Sequence, residues 1–421
     1  MVTRVGRLLD VAHPRRVLLI SGAHGVNEFY SVALPPILPL LVSDLGISYA
    51  RAGLLVTVYF VMYTVFQLPV GVLADRVSKR SLILVGTVVL AAGMGLAGLA
   101  DDYPTLVASQ VVAGLGGSTY HPSGMSLVSD IEGAETEGKA MGIHGLGGIL
   151  GTMLAPAVIG GVAALTDWRT ALLVSAVVGV GYTLVFLLFF RTPAGFDVDA
   201  DGGDDADADG GDDDAGASTL RDRLRASVGT LRVVALSGVV AGLAIGKLLF
   251  GLQFGAVRTY TTSYIFAHAG ESASLANLVF FVLLAGGGVA SLWFGSLADR
   301  FDRGRLLAST FVVAGVLVLL TVFLPPRTPL LLAWFFLLGV AVYASLPVVN
   351  SLVSQHSRRA SSGSLFGITQ TASALGSATA PLVFGAVATR YSIELAFPAI
   401  AAVGFVGGLV LFGFALTVFR G

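Results

Sequence analysis

The chain contains no cysteine. Disulfides, thiolate metal sites and cysteine nucleophiles are therefore excluded. Charge is also scarce, because only 12% of the 421 residues are charged, against about a quarter in an ordinary soluble domain. Hydrophobic residues make up 55% of the chain. A water-soluble fold could not bury that much apolar surface, so the composition indicates a protein that lies in a lipid bilayer.

Long polar stretches are missing from most of the chain. Apolar runs of about 20 residues, the length that crosses a hydrocarbon core as a helix, recur from end to end. They are continuously apolar, whereas the strands of a membrane barrel alternate. We therefore predict an all-α membrane protein with twelve transmembrane helices, here called the first to twelfth spans. They are predicted at 17–42, 49–74, 81–100, 104–129, 138–164, 169–190, 232–267, 274–298, 305–323, 329–355, 360–388 and 393–418.

An acidic tract divides the predicted spans into two sets of six. Asp197 to Asp214 holds ten aspartates among glycine and alanine, a composition that cannot form a packed core. We predict a six-helix bundle at 1–190, a cytoplasmic linker at 191–231 that is disordered around 197–217, and a second six-helix bundle at 232–421.

Basic residues indicate the orientation in the membrane, because short loops rich in Lys and Arg stay in the cytoplasm. With both termini inside, nineteen of the 25 Lys and Arg residues fall on the cytoplasmic side and four on the outside. We expect a multi-pass protein of the plasma membrane with both termini cytoplasmic. Topology accounts for the basic residues, so they give no support for nucleic-acid binding.

Two short motifs recur in the same order in both sets of spans. One closes the second and eighth spans, and the other lies in the fifth and eleventh. Such parallel repeats predict two pseudo-symmetric halves with a solute site between them. The repeated motifs are Gly71-Val-Leu-Ala-Asp75-Arg76 with Gly295-Ser-Leu-Ala-Asp299-Arg300, and Gly151-Thr-Met-Leu-Ala-Pro156 with Gly376-Ser-Ala-Thr-Ala-Pro381.

The loop motif, completed by Arg80, resembles the cytoplasmic signature of the major facilitator superfamily, with Ser78 where a glycine is usual. The resemblance implies the twelve-helix major facilitator fold and transport by alternating access. It also implies a conformational clamp, in which Asp75 reaches the start of the eleventh span and Asp299 the start of the fifth. A charged helix stop is the alternative interpretation. The implied clamp residues are Gly71, Asp75, Arg76, Arg80, Gly295, Asp299 and Arg300.

Two further resemblances concern export. The motif from Gly151 to Pro156 resembles the fifth-span motif of proton-coupled drug exporters, although Gly151, Pro156, Gly376 and Pro381 could equally serve helix packing alone. The stretches Ala23-His24-Gly-Val-Asn27-Glu28 and Gly116-Gly-Ser-Thr-Tyr-His121-Pro122 resemble the fosmidomycin-resistance branch of exporters.

Glu28 is the only carboxylate predicted inside the hydrocarbon region, where ionisable groups are usually functional. We predict that it carries the coupled proton, with His24 one turn away and His121 and His144 at similar depth. The alternatives are a structural ion pair for Glu28 and simple packing for the histidines. No ligand spacing typical of a metal site is present, so we expect no metal.

Lys247 and Arg258 lie in the seventh span, and either could pair with Glu28 or bind an anionic solute. The repeat offset places Lys247 near the level of Glu28 and Arg258 farther outside. Other polar groups within the spans are candidates for substrate contact. Together with Lys247 and Arg258, the predicted substrate-binding residues are Asn27, Tyr59, Tyr63, Gln67, Gln253, Tyr260, Asn350 and Gln370.

The sequence therefore predicts a secondary transporter, not an enzyme, that needs no cofactor and acts as a monomer. Our leading hypothesis is proton-coupled export of a small anionic or amphipathic compound, such as a drug or a phosphonate-like molecule. The alternative is a proton-coupled importer of an organic anion or metabolite. A membrane receptor or an intramembrane enzyme is a remote third hypothesis, because neither a signalling domain nor a catalytic constellation is visible.

Overall fold

The computed structural model describes residues 10–191, 238–268, 270, 272–357 and 362–419. The described chain is helical throughout, with fourteen α-helices and two short 3₁₀ segments. In chain order they are α1 (Pro14–Ser31), a 3₁₀ turn (Pro35–Ile37), α2 (Leu38–Leu45), α3 (Tyr49–Ala74), α4 (Lys79–Gly98), α5 (Tyr103–Gly117), α6 (Tyr120–Ile131), α7 (Glu137–Leu165), α8 (Trp168–Phe189), α9 (Gly238–His268), α10 (Ala273–Ala298), α11 (Arg303–Leu320), a 3₁₀ turn (Thr321–Phe323), α12 (Thr328–Ser357), α13 (Ser362–Arg390) and α14 (Ile393–Thr417).

Eleven segments of the described chain are long and apolar enough to cross a membrane. The fourth predicted span is the remaining one, because it breaks at Ser118 and Thr119 into α5 and α6. Each piece is too short to cross alone, and together they match a full span. The predicted linker at 191–231 lies outside the described residues except for Arg191, so its boundaries and its disorder remain predictions.

Successive spans run in alternate directions, which defines two sides of the molecule. We call the side where α1 begins and α14 ends the tail side, and the other the opposite side. Within each half, the first helix crosses a partner at glycines. A Cβ added to Gly151 of α7 would lie against the carbonyl oxygen of Gly25 in α1, and one added to Gly376 of α13 would lie 2.2 Å from the Leu248 oxygen in α9. The repeated motif thus occupies equivalent tight crossings in the two halves.

The hydrophobic core shows how the halves meet. One large cluster draws buried side chains from both halves, including Leu55 and Phe280, and lies toward the opposite side. Near the tail side each half has its own separate cluster, around Ile20 in the first half and Phe311 in the second. The halves are therefore packed together on the opposite side and apart on the tail side.

Hydrogen bonds between the halves are found on the opposite side. The hydroxyl of Tyr260 in α9 bonds the carbonyl oxygen of Pro381 in its own half and, across the halves, lies 3.2 Å from the carbonyl oxygen of Tyr49 in α3. Asn277 of α10 donates to the Pro36 oxygen at 3.0 Å, and Thr262 of α9 donates to the Pro35 oxygen. These bonds close the opposite side.

The acceptors at Pro35 and Pro36 exist because the first span is interrupted. Three prolines within five residues, Pro35, Pro36 and Pro39, remove backbone donors and disfavour a continuous helix. The chain leaves α1 at Ser31, passes through the 3₁₀ turn and resumes as α2. The Pro36 oxygen accepts a hydrogen bond from α10, and the Pro35 oxygen, which accepts from the N–H of Leu38 within the turn, also accepts from α9.

Candidate functional site

A cavity of about 250 Å³ lies between the two halves, level with the end of α1. Helices α1, α6 and α7 line it from the first half, and α9, α10 and α12 line it from the second. Its apolar lining includes Ile149, Met153 and Leu284. The ionisable and aromatic groups that line it are His24, Glu28, His121, Phe254, Arg258 and Tyr343.

Glu28 lies at the centre of these groups. Its Oε1 atom is 4.0 Å from Nε2 of His24 and 3.9 Å from Nε2 of His121, and its Oε2 atom is 3.9 Å from a terminal nitrogen of Arg258. The Glu28 side chain is 20% exposed. The predicted proton carrier is thus a partly exposed carboxylate with a basic group on each of three sides.

The hydrogen bonds of the two histidines indicate where their protons lie. Nδ1 of His24 is 2.8 Å from the backbone oxygen of His144. A carbonyl only accepts, so this nitrogen must carry a hydrogen, and Nε2 of neutral His24 is then an acceptor. It faces Glu28, another acceptor. Only a proton or a cation between them would make that approach favourable.

His121 is arranged the other way. The Asn27 amide donates to the Tyr63 hydroxyl at 3.2 Å, and that hydroxyl is 2.7 Å from Nδ1 of His121. With Tyr63 donating to Nδ1, neutral His121 carries its hydrogen on Nε2, which points at Glu28. One histidine therefore offers Glu28 a donor and the other an acceptor.

His144 supports His24 from behind. The two rings stack with centroids 4.2 Å apart, and Tyr120 stacks with both. The Tyr120 hydroxyl donates to the Ile20 oxygen at 2.6 Å and lies 3.0 Å from Nε2 of His144. His144 is only 4% exposed, so its contacts fit the positioning of His24 better than direct contact with a solute.

Arg258 reaches Glu28 from the second half by way of a hydroxyl. A terminal nitrogen of Arg258 donates to Ser31 Oγ at 2.7 Å. The Ser31 hydroxyl shares its hydrogen between the backbone oxygen of Glu28 at 2.7 Å and Glu28 Oε2 at 3.1 Å. The guanidinium also lies 5.5 Å from the ring centroid of Phe254, within cation–π range. Among the described residues, Nε of Arg258 and the hydroxyl of Tyr343 are buried without a hydrogen-bond partner.

The expected depths of the two cations were wrong. Side chains lean toward the start of their helix, and α9 starts on the tail side, so Arg258 extends back to the level of Glu28. Lys247 extends away from it. Instead, Lys247 donates to Asn350 Oδ1 at 2.6 Å and to Gln370 Oε1 at 2.9 Å. These three predicted residues form a separate polar cluster in the second half.

The other predicted contact residues are dispersed. Asn27, Tyr59 and Tyr63 are buried beside the cavity residues, and Gln67 is half-buried farther along α3. Gln253 is 2% exposed and packs against Gly404 of α14, away from the cavity. Tyr260 belongs to the contacts that close the opposite side. Gln253 and Tyr260 are therefore not cavity residues in this state, contrary to expectation.

Among the described residues, Asp75 and Asp299 do not make the implied clamp contacts, and the clamp stays a prediction. Asp75 is exposed, and within the described residues its side chain has no hydrogen bond or ion pair. Asp299 pairs with Arg303 of the following helix at 3.0 Å. Arg80 caps the end of α8 by donating to the oxygens of Leu187 and Phe190. A Cβ added to Gly71 would lie 3.9 Å from Cβ of Pro122, and one added to Gly295 would have nothing within 4 Å. Arg76 and Arg300 are exposed.

His24, Glu28 and His121 also have the geometry of a metal site. One ligand atom from each lies within 4.8 Å of the others. The spacing of these residues along the chain did not indicate this, because His121 comes from another helix. Arg258 beside Glu28 places a permanent positive charge next to any cation. The expected absence of a metal stays a prediction.

The sequence did not single out three residues of this site. Ser31 bridges Arg258 and Glu28, Tyr343 lines the cavity, and Tyr120 orients His144. Ser31 lies one turn after Glu28, a spacing that places both on one helix face, so this signal was available. Tyr343 had no such signal, because only tertiary packing brings α12 to the cavity.

Comparison with known families gives one clear match. The family model described as Major Facilitator Superfamily matches residues 17–272 and 243–419. Among curated proteins, the multidrug resistance protein MdtG of Enterobacter lignolyticus is 26% identical over 372 residues, covering 86% of this chain and 83% of that protein. MdtG of Citrobacter koseri is 25% identical over 387 residues, covering 90% of this chain and 87% of the relative.

Solved transporter structures share the fold. A bacterial homologue of the human lysosomal transporter Spinster, in an inward-facing and unoccupied conformation, has a TM-score of 0.74 at 16% identity, covering 96% of this chain and 95% of that one. The nucleoside transporter NupG has a TM-score of 0.75 at 12% identity, covering 95% and 99%. The resemblance to the fosmidomycin-resistance branch stays a prediction, since these relatives do not single out that branch.

Proposed function

The chain belongs to the Major Facilitator Superfamily and is a multi-pass membrane transporter, not an enzyme; from that premise we propose that it exports a small anionic or amphipathic compound in exchange for protons. The observation that carries the proposal is Glu28, with two histidines from its own half and Arg258 from the other half around it. Export is favoured by the relatives, whose names describe multidrug resistance.

The orientation follows from the distribution of basic residues. The loops of the tail side carry most of the lysines and arginines, and such loops face the cytoplasm. We therefore assign the tail side to the cytoplasm, with both termini inside. The state described above is then inward-facing, because the halves are closed on the opposite side.

Proton coupling is supported by the hydrogen-bond pattern around Glu28. The acceptor nitrogen of His24 faces Oε1 of Glu28 at 4.0 Å, which favours a proton held by one of them. The site is partly exposed, so a proton arriving by water reaches it. When Glu28 is protonated its attraction for Arg258 falls, and the bridge through Ser31 weakens. Protonation thus changes a contact that joins the two halves.

An anionic group on the substrate is supported by Arg258. Its guanidinium is permanently charged and forms paired bonds with carboxylates and phosphonates. Its Nε hydrogen and the Tyr343 hydroxyl are buried donors without partners among the described residues. Buried donors are normally satisfied, and an acidic oxygen in the cavity would satisfy both.

Exchange requires that substrate and proton exclude each other at Glu28. A compound with an acid for Arg258 and a hydrogen-bond donor for Glu28 meets this requirement, because its donor replaces the proton. A simple anion has the opposite effect on the proton at Glu28. It takes Arg258 from Glu28, which favours protonation of Glu28, so anion and proton move together. The link between Arg258 and Glu28 therefore favours a second candidate, import of an organic anion with protons.

The direction of proton movement separates these candidates. Inverted vesicles with an internal pH dye receive small phosphonates or aromatic carboxylates, with ethidium as a cationic comparison. Exchange predicts internal alkalinisation when the substrate enters, and cotransport predicts acidification. Glu28→Gln should remove the pH response, while Glu135→Gln, an exposed loop variant, should keep it. Substrate uptake without any pH change, or a full response in Glu28→Gln, overturns proton coupling through Glu28.

A further inference from the structure

A second cavity, of about 660 Å³, lies on the tail side, away from the central one. It is formed where α1 begins and α8 ends, within the first half. We call it the arginine pocket. Its lining residues are His13, Pro14, Arg15, Arg16, Leu188, Phe189 and Arg191.

The arginine pocket is strongly basic. It contains three guanidinium groups and no carboxylate among its lining residues. Within the described part of the chain, none of the three arginines forms an ion pair with an acid. Arg16 donates to the backbone oxygen of Arg191 at 3.1 Å, and Arg15 lies over the Phe189 ring. The nearby acid, Glu132, is engaged with His13.

The same place exposes apolar side chains. Leu18, Leu188 and Phe189 are 49%, 66% and 52% exposed. Leu18 comes two residues after Arg16 on α1, and Leu188 and Phe189 come just before Arg191 at the end of α8. In a membrane protein such residues face acyl chains. The arginine pocket thus lies at the boundary between the hydrocarbon region and the headgroups, with charge on one side and an apolar surface on the other.

We propose that the arginine pocket binds the headgroup of an anionic phospholipid, such as phosphatidylglycerol, with its acyl chains along Leu18 and Leu188. Guanidinium groups form paired hydrogen bonds with phosphate oxygens, and basic pockets at the cytoplasmic ends of helices suit anionic headgroups. A free phosphate would use only the basic half of the site. A lipid uses both the charge and the exposed apolar surface.

A bound lipid would act on the first span. It would join the start of α1 to the end of α8, in addition to the bond from Arg16 to the Arg191 oxygen. Helix α1 carries His24 and Glu28, so the lipid would restrain the helix that holds the central carboxylate. This inference concerns a site outside the central cavity and does not depend on what the protein transports.

Lipid binding is measured on the purified full-length protein by native mass spectrometry, with phosphatidylglycerol and phosphatidylcholine at equal concentration. We expect the wild type to bind phosphatidylglycerol more tightly. Arg15→Gln with Arg191→Gln should weaken that binding by roughly thirtyfold, given about 1 kcal/mol for each basic residue near an anionic lipid. Arg15→Lys with Arg191→Lys keeps the charge and should lose less. The matched control is Arg305→Gln, an exposed arginine on the tail side of the second half, which should bind as the wild type does.

Several outcomes would overturn the proposal. Unchanged binding by the double Gln variant shows that the lipid binds elsewhere, and an equal loss in Arg305→Gln shows general attraction to the surface. If inorganic phosphate displaces phosphatidylglycerol as well as a short-chain phosphatidylglycerol does, the pocket is an anion site only. The Asp-rich segment begins six residues after Arg191. If its deletion alone raises lipid occupancy tenfold, the segment is the natural occupant. Thermal unfolding in phosphatidylcholine shows whether each variant is folded.

Discussion

Arg258 and Glu28 come from different halves of the protein and meet through the hydroxyl of Ser31. Neither charge is far from water, yet both lie within the membrane-spanning region, where an unpaired charge is costly. The strength of this electrostatic contact therefore depends on how the two halves are positioned relative to each other. A change in the charge of one partner alters what holds the halves together at the cavity.

A double-mutant cycle tests this coupling. Glu28→Gln leaves Arg258 without its counter-charge, and Arg258→Gln leaves Glu28 without its own, so each should lower the free energy of unfolding by about 1–3 kcal/mol. The double variant removes both charges and should cost less than the sum of the two. Unfolding of the purified protein in mild detergent measures the cycle. Additive losses would show that the two groups do not interact.

Tyr260→Phe should loosen the closed opposite side. The variant loses the hydroxyl that bonds Pro381 and approaches Tyr49 across the halves, and one such bond contributes about 1 kcal/mol, or roughly fivefold in a population. Spin labels on Arg51→Cys and Arg390→Cys report the distance, and the cysteine-free chain needs no prior substitution. We expect a new population at longer distance.

The matched control for that experiment is Tyr182→Phe. Its hydroxyl donates to the Leu19 oxygen within the first half, so its loss should leave the label distances unchanged. Equal distance distributions in the Tyr260 variant and the wild type would contradict a role of this hydroxyl in closure.

Gly53→Ala should disrupt the packing of α3 against α13. The added Cβ would lie 2.1 Å from the backbone oxygen of Pro381, and backbone cannot move aside as a flexible side chain can. We expect a loss of about 1–3 kcal/mol, typical of overpacking, together with opening of the opposite side. Gly142→Ala on α7 is the control, because its Cβ would have nothing within 4 Å. A Gly53→Ala protein as stable and as closed as the wild type would show that the helices are farther apart there.

Glu132 should make the start of α1 sensitive to acid. It accepts backbone hydrogen bonds from Ala12 and His13 at 2.9 and 2.7 Å, and the hydroxyl of Thr136 donates to it at 2.7 Å. Burial raises the pKa of Glu132, but these bonds outweigh burial and hold the pKa below its ordinary value of 4.5. The folded protein thus binds this proton less tightly than the unfolded chain. The stabilisation is complete above about pH 4.5 and is lost as the pH falls through the lower, folded-state pKa.

Hydrogen exchange of the backbone amides of residues 10–13 as a function of pH measures this effect. Protection should fall on acidification below pH 4.5 in the wild type, and Glu132→Gln should already show weak protection at pH 7 with little further change. Glu135→Gln, an exposed neighbour, should behave as the wild type. Protection in Glu132→Gln that equals the wild type at neutral pH would rule out this anchor.

The Lys247 cluster should show the cost of removing one hydrogen-bond acceptor from a buried cation. Lys247 is 2% exposed and depends on the oxygens of Asn350 and Gln370. Asn350→Leu removes one acceptor and should destabilise the protein by about 1–3 kcal/mol. Lys247→Met in the same chain removes the charge and should restore most of that stability. If the double variant is no more stable than Asn350→Leu, the loss has another cause.

The fold could be predicted from the sequence because a membrane helix is recognisable by its length and its hydropathy. Apolar runs gave the spans, and the repeated motifs gave the two halves. The break of the fourth span at Ser118 and Thr119 was not predicted, although a signal was available: Pro122 has no N–H to donate to the oxygen of Ser118, four residues earlier. The clamp around Asp75 stays a prediction, because the start of the eleventh span includes residues outside the described part of the chain.

The candidate site was predicted in part. The spacing of His24 and Glu28 on one helix face places them together, and His121 joined them from another helix at the expected depth. The partner from the second half was left open between Lys247 and Arg258, and the repeat offset placed Lys247 nearer to Glu28 because depth was counted along the backbone. A long side chain displaces its charge by several ångströms toward the helix start. Arg258 therefore reaches back to the level of Glu28, and Lys247 extends away from it.

The break in the first span has a consequence for how this protein tolerates change. The contacts at Pro35 and Pro36 are made by main-chain oxygens, which every amino acid supplies, so substitutions around them in the first half leave the acceptors in place. The donors are side chains of the second half, Thr262 and Asn277, and these are lost by a single substitution. In random mutagenesis followed by selection for transport, we therefore expect substitutions around Pro35 and Pro36 to be tolerated. Substitutions of Thr262 and Asn277 should be selected against.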